Sequence, residues 1–321
     1  MPSFLTHYIL GNQAVNKLDN NLEKIIKDNY YAFSVGTNGP DVFFYNNCLP
    51  WHDSNQSKVV ANYGSINHRY NINKFFKEFI ENANDSISKS FVSGYLCHWA
   101  MDKVCHPFVY YNTEGSDLSL PYHKEFESTI DHFILNDIMG ISIRDIKPYS
   151  LLKYDNESLK SIYKVLYKPF KEVYNIDLKE NDVYDSCIHI YKAQKLLYDP
   201  YGIKKKVIRL LENNILNKPF EYSCMIIPHK FNNSLDITNE KHNTWHHPYT
   251  NKPSNESFMD LYNTSLNTAL SILNLYDSYL NGESTINDIL NFINNENFDN
   301  GLSEYYENNL YYDCIYEKKN T

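Results

Sequence analysis

The chain has 321 residues, which is enough for one large domain or two small ones, with a sizeable hydrophobic core. Its formal net charge of -9 disfavours binding to duplex nucleic acid, because proteins that bind a duplex usually carry a basic stripe. With 29 Tyr and 17 Phe but only 10 Gly, the composition argues against a disordered or linker-rich chain.

The N-terminal residues MPSFLTHYILG lack a basic segment followed by an apolar one, so no secretory signal is expected. No uninterrupted apolar stretch of about 18 residues is present to span a bilayer. The six cysteines are scattered without a C-x-x-C pair, which favours free thiols over a disulfide framework. These features together predict a cytoplasmic protein.

Apolar residues recur at helical spacing along most of the chain. A break is expected at Asn84-Asp85, and Pro107 and Gly140 are expected to end helices. The basic run Lys204 to Lys206 is interpreted as a solvated helix face. The predicted helices cover residues 14–30, 73–83, 86–106, 122–139, 156–174, 180–197, 203–217 and 256–281.

Strand-like alternation is almost absent, and the best exception is YSCMII at 222–227. The predicted fold is therefore all-α. We expect a single helical domain over 1–321, with the metal ligands in the half 1–140 and supporting helices in the half 141–321. In the first half, GTNGPD at 36–41 predicts a tight loop that ends at Asp41.

The helix GYLCHWAMDKVCHPF carries His98, Asp102 and His106 at i, i+4 and i+8. At about 100° per residue these side chains share one face, and at about 1.5 Å rise per residue the two histidines lie about 12 Å apart along the axis. Because metal–ligand bonds are about 2 Å long, both rings could hardly hold one ion. Asp102 sits midway and could bridge two ions, so the spacing indicates more than one metal.

The next helix has a similar pattern in PYHKEFESTIDHF, where a histidine and a carboxylate are one turn apart and Asp131 follows one turn later. Three further candidates, His7, Asp41 and His68, lie upstream. His52 in PWHD is an alternative to His68 in GSINHRY. Imidazole and carboxylate ligands suit zinc, with manganese or iron as alternatives, and eight of them fit two or three ions better than one. The eight candidates are His7, Asp41, His68, His98, Asp102, His106, His123 and Glu127.

In this order, the motifs THY, GPD, CHWAMDKVCHPF and HKEFE resemble the zinc-dependent phospholipase C family, whose relatives include the P1-type nucleases. The motifs cover roughly residues 1–135. The resemblance implies an all-α fold and a trinuclear zinc site. It also implies three groups of ligands, namely Asp41, His68 and His98; His106, His123 and Glu127; and His7 with Asp102 as the bridge.

In the family, the amino group and carbonyl of the mature N-terminal residue complete the third site. Removal of Met1 would place Pro2 in that role; if Met1 stays, water fills the position. Secreted members have five residues between the bridging aspartate and the next histidine. Here three residues separate Asp102 from His106, and Phe108 occupies the expected position.

The resemblance implies a zinc-dependent hydrolase of phosphate esters, specifically a phospholipase C-like phosphodiesterase that uses metal-activated water. Asp41 is our catalytic candidate, as a ligand that also orients or deprotonates the water. Trp245 and His246 in NTWHHPYT are expected at the mouth of the substrate pocket, with a core position as the alternative for Trp245. The partner is then a phosphate ester or a phospholipid, and peripheral membrane contact stays open.

Three alternatives remain. A P1-like single-strand nuclease would require basic residues and aromatic side chains that stack on bases around the site. A non-catalytic zinc-binding helical protein would have closed metal sites. A phosphohydrolase of the HD type, suggested by His52-Asp53, is weaker because it leaves His123 and Glu127 without a role.

Overall fold

The computed structural model describes residues 4–49, 52, 54–216, 221–230, 235–306 and 311–318. Twelve α-helices lie within these ranges, and we number them in chain order. They are α1 Phe4–Val15, α2 Asn21–Asp28, α3 Tyr30–Gly36, α4 Ser54–Arg69, α5 Ile72–Glu81, α6 Ser86–Thr113, α7 Ser119–Phe133, α8 Asn156–Tyr174, α9 Glu180–Leu197, α10 Ile203–Leu211, α11 Phe258–Leu280 and α12 Ile286–Ile293.

Short helical segments extend or connect these helices. They are 3-10 helices at Gly39–Tyr45, Pro148–Leu151 and Ser223–Met225, and π-helical turns at Ile134–Ile138 and Glu212–Leu216. In the described ranges, extended structure is limited to β1 (Trp245–His246) and β2 (Pro253–Ser254), which pair antiparallel. The all-α prediction is confirmed.

The strand-like interpretation of 222–227 is wrong, because Ser223–Met225 forms a 3-10 helix. The backbone N–H groups of Tyr222 and Ser223 both donate to the Glu212 carboxylate, at 2.5 and 2.9 Å. These donors are therefore satisfied by a side chain, and they are not available to a strand ladder.

The long helix α6 is the centre of the fold and packs against α1, α2, α3, α7, α8 and α11. It is buried on most sides, as expected for a helix whose apolar residues are not confined to one face. Its N-terminus is a capping box, in which Asp85 Oδ1 accepts from Ser88 N at 2.7 Å. The break predicted at Asn84-Asp85 is confirmed.

Two glycines bring the backbones of α3 and α6 into direct contact. A Cβ on Gly36 would lie 2.3 Å from the Phe91 carbonyl oxygen, and one on Gly94 would lie 2.3 Å from the Phe33 oxygen. Because any side chain here would push the helices apart, this contact sets how close the 3-10 helix after α3 lies to α6. Asp41 is in that 3-10 helix.

The expectation that Pro107 ends the helix is wrong, since α6 continues through it to Thr113. Proline has no N–H to donate to the Lys103 carbonyl, four residues earlier. Gly301, with φ +66, packs closely over that carbonyl; a Cβ there would lie 2.2 Å from the Lys103 oxygen. Tertiary packing therefore keeps the proline inside a continuous helix.

The continuous helix predicted over 14–30 is also wrong. The chain forms α1, α2 and α3 there, because Asn20 caps α2 by accepting from Glu23 N at 3.2 Å. The bounds predicted for α8 and α9 agree with the structure. No helix in the described ranges is long and apolar enough to cross a membrane.

Candidate metal centre

Five elements converge on one buried cluster that contains all eight predicted ligands. Each of these side chains is at most 8% exposed. They come from α1 (His7), the 3-10 helix after α3 (Asp41), the last turn of α4 (His68), α6 (His98, Asp102, His106) and α7 (His123, Glu127).

Asp102 lies at the middle of this cluster. Its Oδ1 is 3.0 Å from His7 Nε2 and 3.7 Å from His106 Nε2, and its Oδ2 is 2.8 Å from His98 Nε2. The i, i+4 and i+8 side chains of α6 therefore do share one face, with the carboxylate between the two rings.

One group of potential ligands comprises Asp41, His68, His98 and Asp102, whose ligand atoms all lie within 4.8 Å of one another. Asp41 Oδ1 is 3.1 Å from His68 Nε2, and Asp41 Oδ2 is 3.6 Å from His98 Nε2. Two nitrogen and two carboxylate ligands at this spacing fit a single zinc ion.

A second group comprises His106, His123 and Glu127, also within 4.8 Å of one another. His123 lies one helical turn before Glu127. Glu127 Oε1 is 3.0 Å from His123 Nε2 and 3.7 Å from His106 Nε2. His106 thus points into the cluster in spite of the shorter Asp102–His106 spacing, while Phe108 packs in the core against Phe126.

His7 stands on the other side of Asp102 and stacks on His98, with ring centroids 4.2 Å apart. Its Nδ1 is buried and has no hydrogen-bond partner among the described residues. The start of α1 is held by Asp131, whose Oδ1 accepts from Thr6 N and Thr6 Oγ1, each at 2.7 Å. Met1 and Pro2, the proposed N-terminal ligand, lie outside the described residues.

Backbone carbonyls fix three of the imidazole rings. Because a carbonyl can only accept, the Nδ1–H of His68 donates to Gly64 O at 2.8 Å, that of His98 to Thr37 O at 3.1 Å, and that of His106 to Phe298 O at 2.8 Å. The Nε2 atoms are thereby directed at the carboxylates. Histidines that bind metals usually donate a hydrogen bond from the other ring nitrogen in this way, which fixes the orientation of the ring.

The charge of the cluster fits bound cations. Asp41, Asp102 and Glu127 are buried, and no described Lys or Arg forms an ion pair with them. Within the described part of the chain, one buried oxygen of each carboxylate lacks a hydrogen-bond partner, and so does the buried Nε2 of His98. Three buried carboxylates opposed only by imidazoles are costly unless a cation compensates them.

The pKa values show the same anionic surroundings. Burial lowers the pKa of His106, but the charges of Asp102 and Glu127 outweigh burial and raise it to about 10. Burial likewise opposes protonation of His68, yet Asp41 raises its pKa. For His98 burial dominates and its pKa is lowered, which leaves the ring neutral and ready to act as a ligand.

The cluster opens onto a cleft of about 1020 Å³. Asp41, His68, His106 and His123 contribute to its wall beside a long apolar stretch. The apolar stretch is formed by Leu49, Leu120, Ala193, Leu196, Leu197, Ile208, Leu211, Leu216 and Met225.

A second, polar recess of about 570 Å³ adjoins the cleft and shares Arg69, Tyr110, Glu114 and Asp299 with it. Arg69 Nε donates to Asp299 Oδ2 at 2.7 Å, and Tyr110 Oη donates to Asp299 Oδ1 at 3.4 Å. Sequence reasoning missed Arg69 and Asp299, because no motif links α4 to a residue 230 positions away.

The residues predicted at the pocket mouth lie elsewhere. Trp245 is 6% exposed, packs against Phe108 at 5.3 Å between ring centroids, and donates from Nε1 to Glu256 O. His246 contacts Asn251 through Nδ1 at 2.9 Å. Neither lines the cleft, so the core alternative describes Trp245 and we leave both out of the site.

The rival residue His52 is also outside the cluster. Its ring lies 4.4 Å from that of His189, and the adjacent Asp53 falls outside the described residues. Of the two histidines that competed for one ligand position, the structure brings His68 to the site.

The family described as zinc dependent phospholipase C has a model that matches residues 6–177, more than half of the chain. All eight clustered residues lie within this match. Comparisons with curated proteins and with solved structures gave no significant match.

Proposed function

Because this chain belongs to the zinc-dependent phospholipase C family, we propose that it is a zinc-dependent phosphodiesterase that hydrolyses a phospholipid-type substrate. The observation that carries the proposal is the position of the histidine–carboxylate cluster. It opens where an apolar cleft meets a polar recess, the two environments that a diacylglycerol phosphodiester needs.

In this proposal, the eight clustered residues hold two or three zinc ions. Asp41, His68 and His98 would hold one ion, and His106, His123 and Glu127 would hold another. Asp102 would be shared between ions, and with His7 it would hold a third. Zinc bound there lowers the pKa of a water molecule towards neutrality and neutralises negative charge on a phosphate ester.

Asp41 is the catalytic residue that we propose for proton transfer. It lines the cleft, and its Oδ2 is buried with no described hydrogen-bond partner. It lies in the buried 3-10 helix Gly39–Tyr45. From this position it orients the attacking water and accepts its proton as the water oxygen bonds to phosphorus. The P–O bond to diacylglycerol then breaks, and the leaving glycerol oxygen takes up a proton from water, which yields diacylglycerol and the phosphorylated head group.

The charge of the cleft wall favours a lipid over a nucleic acid. Among the described residues, the lysine and arginine side chains that line the cleft are Lys124 and Arg69, and Arg69 is already paired with Asp299. A single-strand nuclease would need a basic groove with stacking aromatics. A non-catalytic zinc protein is also disfavoured, because four of the clustered residues open to a large cleft and structural sites are closed.

The test is hydrolysis of short-chain phosphatidylcholine and phosphatidylethanolamine, presented as monomers to the zinc-loaded protein. Diacylglycerol and the phosphorylated head group are measured together, since only cleavage on the glycerol side releases both. We expect Asp41→Asn to lower kcat by about 10²-fold or more. The matched control Asp137→Asn, an exposed carboxylate outside the cleft, should keep full activity.

Three results would contradict the proposal. Cleavage of single-stranded oligonucleotides without lipid hydrolysis would favour the nuclease. Bound zinc without any phosphodiesterase activity would favour a non-catalytic protein. Equal activity of the wild type and Asp41→Asn would remove Asp41 from the mechanism.

A further inference from the structure

Helix α10 and the π-helical turn that follows it direct their apolar side chains towards solvent. Six of these side chains are between 44% and 68% exposed. Helices of soluble proteins normally place the apolar stripe against the core. The six residues are Ile203, Val207, Leu210, Leu211, Ile215 and Leu216.

The opposite side of the same helix is charged and points inward. Lys205 Nζ donates to Glu125 Oε2 at 3.0 Å and to Ile226 O at 2.7 Å, and Arg209 Nη2 donates to the same Glu125 oxygen at 2.8 Å. Glu212 is fully buried and accepts from Ser223 N at 2.9 Å. The interpretation of Lys204 to Lys206 as a solvated face is thus wrong for Lys205.

These inward contacts fix the orientation of the helix. Rolling α10 to bury its apolar side would break the two cation contacts to Glu125 and leave Glu212 without its donors, which is costly for buried charges. The exposure of the apolar side is therefore built into the fold rather than the result of loose packing.

The exposed apolar side is continuous with the wall of the catalytic cleft. Leu211 and Leu216 belong to both, and Leu196 and Leu120 are likewise exposed and line the cleft at its mouth. We name this surface the rim patch: Leu120, Leu196, Ile203, Val207, Leu210, Leu211, Ile215 and Leu216. Large exposed apolar patches on soluble proteins usually mark an interaction site.

The segment that carries most of the rim patch, residues 192–216, has a charge opposite to that of the whole molecule. Between Lys192 and Leu216, the two acidic residues, Asp199 and Glu212, are buried. Lys192, Lys195 and Lys206 are exposed, although the whole chain carries -9. An apolar stripe flanked by lysines matches the acyl and phosphate layers of a phospholipid surface.

We infer that the rim patch docks on a phospholipid bilayer, with the apolar side of α10 inserted among the acyl chains and the lysines at the lipid phosphates. Docking in this orientation places the mouth of the cleft against the membrane. A lipid then reaches the cluster along a continuous apolar wall without entering water.

The test is co-sedimentation of the full chain with vesicles of phosphatidylcholine and a minor fraction of phosphatidylglycerol. The variant Ile203→Gln/Leu210→Gln/Ile215→Gln changes three exposed side chains that do not line the cleft. We expect its vesicle affinity to fall at least about tenfold, since burying even one such side chain is worth about 1.5–3 kcal/mol. Thermal unfolding of the variant should be unchanged.

The matched control is Val59→Gln on α4. Val59 is 55% exposed, but on a helix it lies about 180° from His68 and so faces away from the cleft. Its vesicle binding should equal that of the wild type. Both variants should hydrolyse monomeric short-chain substrate at the wild-type rate, while only the triple variant loses activity on vesicles.

Vesicle binding does not depend on hydrolysis, so it tests docking even if the proposed function fails. Absence of wild-type binding, or equal binding by the triple variant, would overturn the inference. A concentration-dependent dimer that the triple variant abolishes, without vesicle binding, would assign the rim patch to a second copy of the chain instead.

Discussion

At the scale of single residues, Asp102 makes the most contacts within the cluster, because it approaches His7, His98 and His106 at once. We predict that Asp102→Asn binds at least one zinc ion fewer than the wild type, since an amide removes the charge that a bridging ligand supplies. Elemental analysis of protein purified without chelator measures this. The control Asp277→Asn alters a buried carboxylate outside the cluster and should leave the metal content unchanged.

Gly39 allows the ring of His98 to come close to the 3-10 helix. Its φ is +52, and a Cβ there would lie 2.2 Å from His98 Cδ2. Gly140 also has a positive φ, +65, but a Cβ there would meet no atom of the described residues within 4 Å. We therefore predict that Gly39→Ala loses both stability and zinc, whereas Gly140→Ala loses about 1 kcal/mol of stability from backbone strain alone. Equal zinc loss in both variants would count against this explanation.

Zinc binding should release protons and weaken as the pH falls. The pKa of His106 is raised to about 10 in the metal-free protein, so its ring is protonated at neutral pH. Because Nδ1 donates to Phe298 O, zinc must displace the proton on Nε2. Titration calorimetry in buffers of different ionisation enthalpy measures the number of protons released, and we expect at least one.

The same shift fixes the sign of a pH effect on folding without metal. The folded pKa of His106 lies above its unfolded value of about 6.5. Its contribution to stability is therefore complete below about pH 6.5 and is lost as the pH rises through about 10.

The eight clustered residues could be found from the sequence because helical spacing places i and i+4 side chains together, and the family motifs supplied the other positions. Spacing says nothing about side chains that tertiary contacts bring in. Phe298, whose carbonyl accepts from His106, lies 192 positions away from it in the sequence. The residues next to Trp245 in the sequence likewise do not show whether it lies in the core or at the pocket.

At the scale of elements, the N-terminus of α6 is the best place to test how the scaffold supports the site. Besides its capping bonds, Asp85 accepts from Ser161 Oγ at 2.8 Å and so joins α6 to α8. We predict that Asp85→Ala lowers the free energy of unfolding by about 2 kcal/mol, the upper end for a lost N-cap. Denaturant unfolding by circular dichroism measures it.

The control for this prediction is Asp155→Ala. Asp155 caps α8 by accepting from Ser158 N at 2.8 Å, but its described bonds are all to the same exposed turn. Its loss should cost about 1 kcal/mol. If the two variants lose the same stability, the bond between α6 and α8 contributes nothing beyond the cap.

Elements were predictable where local signals agreed with the fold. Helices α8 and α9 begin and end as predicted, because each is an amphipathic segment with its own terminal signals. The end of α6 was not predictable, because the contact that shields the Lys103 carbonyl comes from Gly301. For α10, the periodicity predicts a helix correctly but cannot tell which side faces the core.

At the scale of the whole molecule, the second half of the chain supports the cluster rather than merely covering it. Phe298 N donates to His68 O at 3.0 Å, while Phe298 O accepts from His106. The segment after α12 thus forms backbone hydrogen bonds with two of the clustered histidines, and the Phe298 ring also packs against His98. The single domain over 1–321, its two functional halves and the cytoplasmic location stay predictions.

Removal of metal should destabilise the entire fold, because the cluster joins α1, the 3-10 helix after α3, α4, α6 and α7. Zinc at about 100 times its dissociation constant stabilises the folded state by about 2.7 kcal/mol. Removal of this zinc by a chelator should therefore lower Tm by roughly 5 °C. Calorimetric melting with and without chelator measures the shift.

In Asp102→Asn the shift should shrink, since fewer ions remain to be removed, whereas Asp277→Asn should show the full shift. A Tm that does not respond to chelator in the wild type would mean that the buried carboxylates are neutralised by protons rather than by metal.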